Sequence, residues 1–103
     1  MEYKVARVDQ VEPGSCLAVN AGDFELVLFC HADGSYSALE DCCSHADVQL
    51  SLGTFENGEI ECVAHGARFD ARTGKALCMP AVKAVASYQV KIVDQDIFIV
   101  LPN

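Results

Sequence analysis

Two short boxes in this 103-residue chain bring sulfur and nitrogen donors together: Cys43-Ser44-His45 and Cys62-Val63-Ala64-His65. Each supplies one thiol and one imidazole. Cys43, His45, Cys62 and His65 therefore make a set of two sulfur and two nitrogen ligands. Such a set suits a single tetrahedral Zn²⁺, or a two-iron, two-sulfide cluster with both thiolates on one iron and both imidazoles on the other. A zinc finger usually gathers two cysteines in one knuckle and two histidines in the next. The mixed boxes here serve two irons facing two loops better. A zinc-binding interaction module remains the alternative.

The boxes are separated by sixteen residues that contain Asn57-Gly58, a pair that favours a type I′ turn. A hairpin there, pairing Gly53–Phe55 with Glu59–Cys62, would carry the two ligand loops toward a common point. The rest of the chain follows the same logic of short strands and tight turns, without a sustained 3.6-residue apolar period. Glu25–Cys30 and Ser35–Leu39 flank Asp33-Gly34, where both turn residues tolerate positive φ. Tyr88–Val93 and Ile97–Leu101 flank Asp94-Gln95-Asp96. Glu12-Pro13-Gly14 and Arg72-Thr73-Gly74-Lys75 are further turns. The pattern predicts an all-β sandwich or small barrel. Asp41–Leu52 lacks strand alternation and is a loop of ligand-type residues that something other than protein must organise.

Composition narrows the function. Fifteen Asp and Glu against seven Lys and Arg give a formal charge of −8, which offers no counterion-displacing surface for nucleic acid and no attraction to anionic lipid. Met1–Gln10 lacks the apolar run of a signal peptide, and no segment approaches the length of a membrane-spanning helix. The expected compartment is cytoplasmic. In that reducing setting the six cysteines are tested as ligands before they are paired as disulfides.

The residues around the boxes resemble the Rieske-type [2Fe-2S] ferredoxins, whose boxes read Cys-x-His and Cys-x-x-His. The similarity extends to Gly53, His65-Gly66, Arg68-Phe69-Asp70, Thr73-Gly74-Lys75 and Met79-Pro80-Ala81. It implies one Rieske domain over 1–103, with a cluster-binding part at about 41–81, one [2Fe-2S] cluster per chain, and Cys43, His45, Cys62 and His65 as its ligands. The small members that serve bacterial aromatic-ring-hydroxylating dioxygenases are most similar. They imply a one-electron shuttle between a ferredoxin reductase and a terminal oxygenase, not an enzyme, with no nucleic acid, membrane or organic substrate bound directly. A Rieske subunit of another complex, such as a nitrite reductase, is the nearest rival. The family box, with one residue between cysteine and histidine, also favours Cys43 over the shifted choice Cys42.

High-potential relatives brace their loops with a disulfide at positions that are Val48 and Ala64 here, and place hydroxyls where this chain has Ala67 and Phe69. Fewer donors to the sulfurs leave the reduced cluster less stabilised. The resemblance thus implies a potential toward the bottom of the roughly −150 to +300 mV Rieske range. Val63 stands where the family usually has proline. Two ferric irons, two sulfides and two thiolates sum to zero charge, so imidazole ligands ease electron entry. Electron exchange and docking are expected around His45 and His65, with the acidic surface steering toward basic partners.

The remaining candidates receive ordinary roles. Cys16, Cys30 and Cys78 are expected in or near the core, and His31 as a solvated turn residue. Arg68 and Asp70 are expected to pair structurally, with contact to a partner as the alternative, and Asp41 and Asp47 to be solvated acids, with docking as theirs. Gly66 serves either backbone approach to the cluster or a turn, and Pro80 resembles the family's proline loop that covers the cluster, with a plain strand break as the alternative.

Overall fold

The computed structural model describes residues 1–43, 48–63, 66–78 and 83–101. Ten strands follow in chain order: β1 (Glu2–Arg7), β2 (Ser15–Ala21), β3 (Phe24–Cys30), β4 (Tyr36–Glu40), β5 (Thr54–Glu56), β6 (Glu59–Glu61), β7 (Arg68–Asp70), β8 (Ala76–Cys78), β9 (Ser87–Val93) and β10 (Asp96–Val100). Single 3₁₀ turns lie at Val8–Gln10 and Leu50–Leu52. All strand pairs are antiparallel. Six strands form one sheet in the order β1-β10-β9-β4-β3-β2, whose edge strands β1 and β2 approach each other so that it nearly closes. The other four form a smaller sheet, β5-β6-β7-β8, inserted in the chain between β4 and β9.

The β3 sequence explains how the two sheets share a core. Alternate residues of a strand face opposite sides. Leu26, Leu28 and Cys30 point into the interior of the six-stranded sheet with Ala38, Ile97 and Ile99, while Val27 and Phe29 point toward the smaller sheet. Both faces are therefore dry, which is why Leu26–Cys30 is apolar at every position. Each of the fully buried Leu, Val, Ile and Phe side chains contributes roughly 1.5–3 kcal/mol of transfer free energy. Within the described residues, no helix is long and apolar enough to cross a membrane.

The three expected hairpins form, with differences in the turns. Asn57 and Gly58 both take positive φ (54° and 78°), the type I′ geometry expected of the pair. At the β3–β4 connection only Gly34 does (φ 87°). The Gly34 N–H bonds to the His31 carbonyl and the His31 N–H to the Ser35 carbonyl, giving a three-residue loop with glycine at its left-handed position. At the β9–β10 turn the strand takes back Asp96, which pairs with Val93, and Asp94 alone has positive φ (57°).

Gly53 marks the closest backbone approach. A Cβ there would run into the Glu61 carbonyl oxygen, so no side chain fits where the chain enters β5 beside the end of β6.

Candidate metal centre

Both boxes begin where a strand or bend of the fold stops, and both are closed in the same way. The Cys43 N–H donates to the Val48 carbonyl (2.8 Å), and the Cys62 N–H donates to the Ala67 carbonyl (2.7 Å). Each cysteine thus fixes the mouth of a loop that returns five residues later. His45 falls inside the first loop and His65 inside the second. Both histidines lie outside the described residues, as do Ala64 and the Met79-Pro80-Ala81 stretch. The β5–β6 hairpin joins the two loops as expected.

Cys43 and Cys62 are 3% and 1% exposed and belong to one apolar core with Leu50, Ile60, Ala67 and Phe69, against which Val48 packs. Two thiols held dry at the mouths of like-closed loops fit soft thiolate ligation, and the imidazoles that follow them complete a donor set suited to a [2Fe-2S] cluster. Cys42 is half-buried, and its thiol reaches the Cys43 carbonyl (3.7 Å). Ala67 and Phe69 are fully buried beside the two cysteines, so the positions without hydroxyls face the same core. Gly66 has φ 73°, a turn conformation that side chains rarely adopt. Leu52 and Val63, one beyond the first loop and one inside the second, are 64% and 61% exposed.

Four sequence expectations need correction. Asp41 is buried: Oδ1 accepts from the Ser51 N–H (2.7 Å), and Oδ2 from the Ser51 hydroxyl (2.7 Å) and the Gln49 amide (3.3 Å). Its partners lie eight and ten residues away, so no local pattern announced them. Arg68 pairs with Glu59 and Glu61 across the β6–β7 register (both 3.7 Å), while Asp70 instead accepts from the Arg72 and Thr73 N–H groups and shapes the β7–β8 turn. Cys78 is exposed, its thiol 3.7 Å from the Gly66 carbonyl. Cys30 is in the core inside the six-stranded sheet, and Cys16 packs against the other core, the one that contains Cys43 and Cys62, as expected. Burial, and then the charge of Asp41, raise the Cys16 thiol above its ordinary pKa.

His31 is the fourth correction. It is 4% exposed and spans the two sheets. The Ser37 hydroxyl on β4 donates to the Ala71 carbonyl just past β7 (2.7 Å), so the His31 Nε2–H donates to that same hydroxyl oxygen (2.7 Å). The ring meets Phe55 of β5 edge-on, 5.5 Å between centroids. Burial lowers the His31 pKa below its ordinary 6.5 and Arg72 lowers it further, against opposing pulls from Asp33 and Asp70. The unfolded chain therefore takes up a proton that the folded chain resists, and stability falls as pH drops below about 6.5. Tm is expected to fall between pH 7 and pH 5, and His31→Gln to flatten that part of the curve. An unchanged slope in the variant would locate the pH dependence elsewhere.

Compared with known proteins, residues 1–89 match the family model for the Rieske [2Fe-2S] domain. The chain is 37% identical over 96 residues to the ferredoxin component of biphenyl 2,3-dioxygenase from Rhodococcus jostii (strain RHA1), covering 93% of this chain and 89% of that protein. Among solved structures it is similar to the ferredoxin of carbazole 1,9a-dioxygenase from Nocardioides aromaticivorans IC177, with TM-score 0.90, 34% identity and 96% of each chain covered. It is also similar to a chain in a complex of reduced oxygenase and oxidized ferredoxin in carbazole 1,9a-dioxygenase, with TM-score 0.88, 27% identity, and 95% and 91% covered.

Proposed function

The chain belongs to the Rieske [2Fe-2S] family, with a Rieske-type cluster as its cofactor, and on that premise we propose that it is a one-electron carrier between a reductase and a terminal ring-hydroxylating oxygenase. Cys43 and Cys62 hold one iron and His45 and His65 the other. The observation that carries this reading is the pair of cysteines buried in one core at the mouths of two loops closed by the same backbone bond. When bound, the cluster accepts and returns a single electron. The protein's own residues supply the rest: the apolar core around Phe69 and Leu50 keeps water from the thiolates, and the backbone bonds from Cys43 to Val48 and from Cys62 to Ala67 close the loops that carry the ligands. Exposed Leu52 and Val63 give a partner an apolar contact beside them. Chemistry on an aromatic substrate belongs to the oxygenase.

We assign the whole of 1–103 to one domain that works in the cytoplasm. Relatives that serve biphenyl and carbazole dioxygenases support the partner class, and the acidic surface suits a basic docking face whose binding weakens with salt.

The test is reconstitution. The reduced protein, mixed with a reductase and a ring-hydroxylating oxygenase, should support product formation that stops when it is left out. An intact cluster that turns over no oxygenase would leave a carrier with a different partner.

The potential offers a second check. Ala67→Ser places a hydroxyl in the core that holds Cys43 and Cys62. A further donor near the sulfurs stabilises the more negative reduced state, so the midpoint potential should rise above that of the wild type in protein-film voltammetry. A fall would contradict the account of why a low potential is expected.

A further inference from the structure

We infer that Asp41 is the positioning residue of the first ligand loop: by binding Ser51 and Gln49 it clamps the segment that presents Cys43, and so sets the lifetime and potential of the cluster. The inference rests on Cys43 being a ligand, and it concerns a buried residue outside the proposed ligand set.

The backbone already anchors one side of the clamp. The Asp41 N–H donates to the Glu25 carbonyl on β3 (3.0 Å), and the preceding Glu40 N–H to the Ala86 carbonyl (2.8 Å), so Asp41 is pinned to the six-stranded sheet. Its side chain reaches across the loop to the far end. Both carboxylate oxygens accept, one from the Ser51 N–H and the other from the Ser51 hydroxyl and Gln49 amide, at 2.7, 2.7 and 3.3 Å. Ser51 sits in the 3₁₀ turn Leu50–Leu52, whose Leu50 is fully buried in the core that contains both cysteines. The chain from 41 to 51 is thus closed twice, inside by Cys43 to Val48 and outside by Asp41 to Ser51.

Burying a carboxylate is costly unless donors replace its water, and three donors do so here. A residue that merely terminated β4 would need none of them. The carboxylate accepts at both oxygens, which an amide cannot do. In Asp41→Asn the NH₂ must face either the Ser51 N–H or the Gln49 NH₂, donor against donor. Removing a negative group near a centre that gains an electron also favours reduction.

The experiment uses the holo protein. Wild type is first checked for two irons and the Rieske signal in electron paramagnetic resonance. Wild type, Asp41→Asn, Ser51→Ala and Ile99→Val are then held with excess iron chelator well below their melting temperatures while the visible absorption is followed. Ile99→Val loosens the core on the other side of β3 and controls for general stability. Asp41→Asn should bleach about tenfold faster than wild type or more, with a raised midpoint potential and faster amide exchange in the 41–52 peptide. Ser51→Ala, which keeps the carboxylate, should bleach faster without the rise in potential. Should Asp41→Asn fail to fold, Ser51→Ala still decides the point. Wild-type bleaching in the Asp41 and Ser51 variants, or equally fast bleaching in Ile99→Val, overturns the clamp alone. A wild type without the signal overturns the ligand reading and the clamp with it.

Discussion

Cys62→Ala, purified anaerobically, is expected to be colourless, to contain no stoichiometric iron or acid-labile sulfide, and to give no Rieske signal on reduction. Cys62 is the first residue beyond β6, 1% exposed, and its thiol lies in the core that also holds Cys43. Alanine keeps the backbone bond to Ala67 and almost all of the packing, so the fold's own contacts change little. What disappears is one of two thiolates, and no solvent-derived ligand can readily reach a site this dry. Cys43→Ala should give the same result, whereas Cys42→Ala should keep the cluster. That comparison decides between the two adjacent cysteines: a colourless Cys42→Ala and a brown Cys43→Ala would shift the ligand by one residue. Because a bound cluster stabilises only the folded chain, the cysteine variants should also melt earlier than the holo wild type.

The second large effect is on stability. Phe69 is fully buried at the centre of β7, paired with Ile60 on β6 and Ala76 on β8, and it belongs to the core that contains both cysteines. Phe69→Ala should cost about 3–5 kcal/mol, the usual range for emptying an aromatic site in a core. For a domain of this size, with a total stability of about 5–15 kcal/mol, the apo form would lose a large share of its margin and melt on the order of 15 °C or more lower. Denaturant unfolding followed by circular dichroism measures this directly. A loss below about 1 kcal/mol would mean that β7 and β8 collapse onto the cavity and that the small sheet is more pliable than its packing indicates. Phe69→Leu, which refills much of the space, should recover most of the loss.

These two expectations divide what was readable in the chain from what was not. The proposed ligand set, the hairpin between its boxes, the all-β class and the family are local information: a cysteine two or three residues before a histidine, an Asn-Gly pair between apolar runs, a strand period of two. Backbone stereochemistry and metal chemistry act over a few residues, so sequence spacing alone carries them. Even the turns were mostly legible, and the Asp33-Gly34 loop differed only in which of its residues needed the left-handed conformation.

The roles of Asp41, His31, Arg68 and Cys78 were decided by the tertiary structure. An acid beside a ligand box reads as solvated until the chain folds Ser51 back onto it, and a histidine beside a turn reads as exposed until Ser37, Ala71 and Phe55 enclose it. Arg68 takes its glutamates from β6 through a register that only the sheet defines. Cys78 is left outside because β8 is the edge of the smaller sheet. Burial and partnership are properties of pairs distant along the chain. The chain alone therefore determined which residue types are offered as ligands at which spacing, and the packing of the two sheets decided which distant groups bury and bond the residues around them.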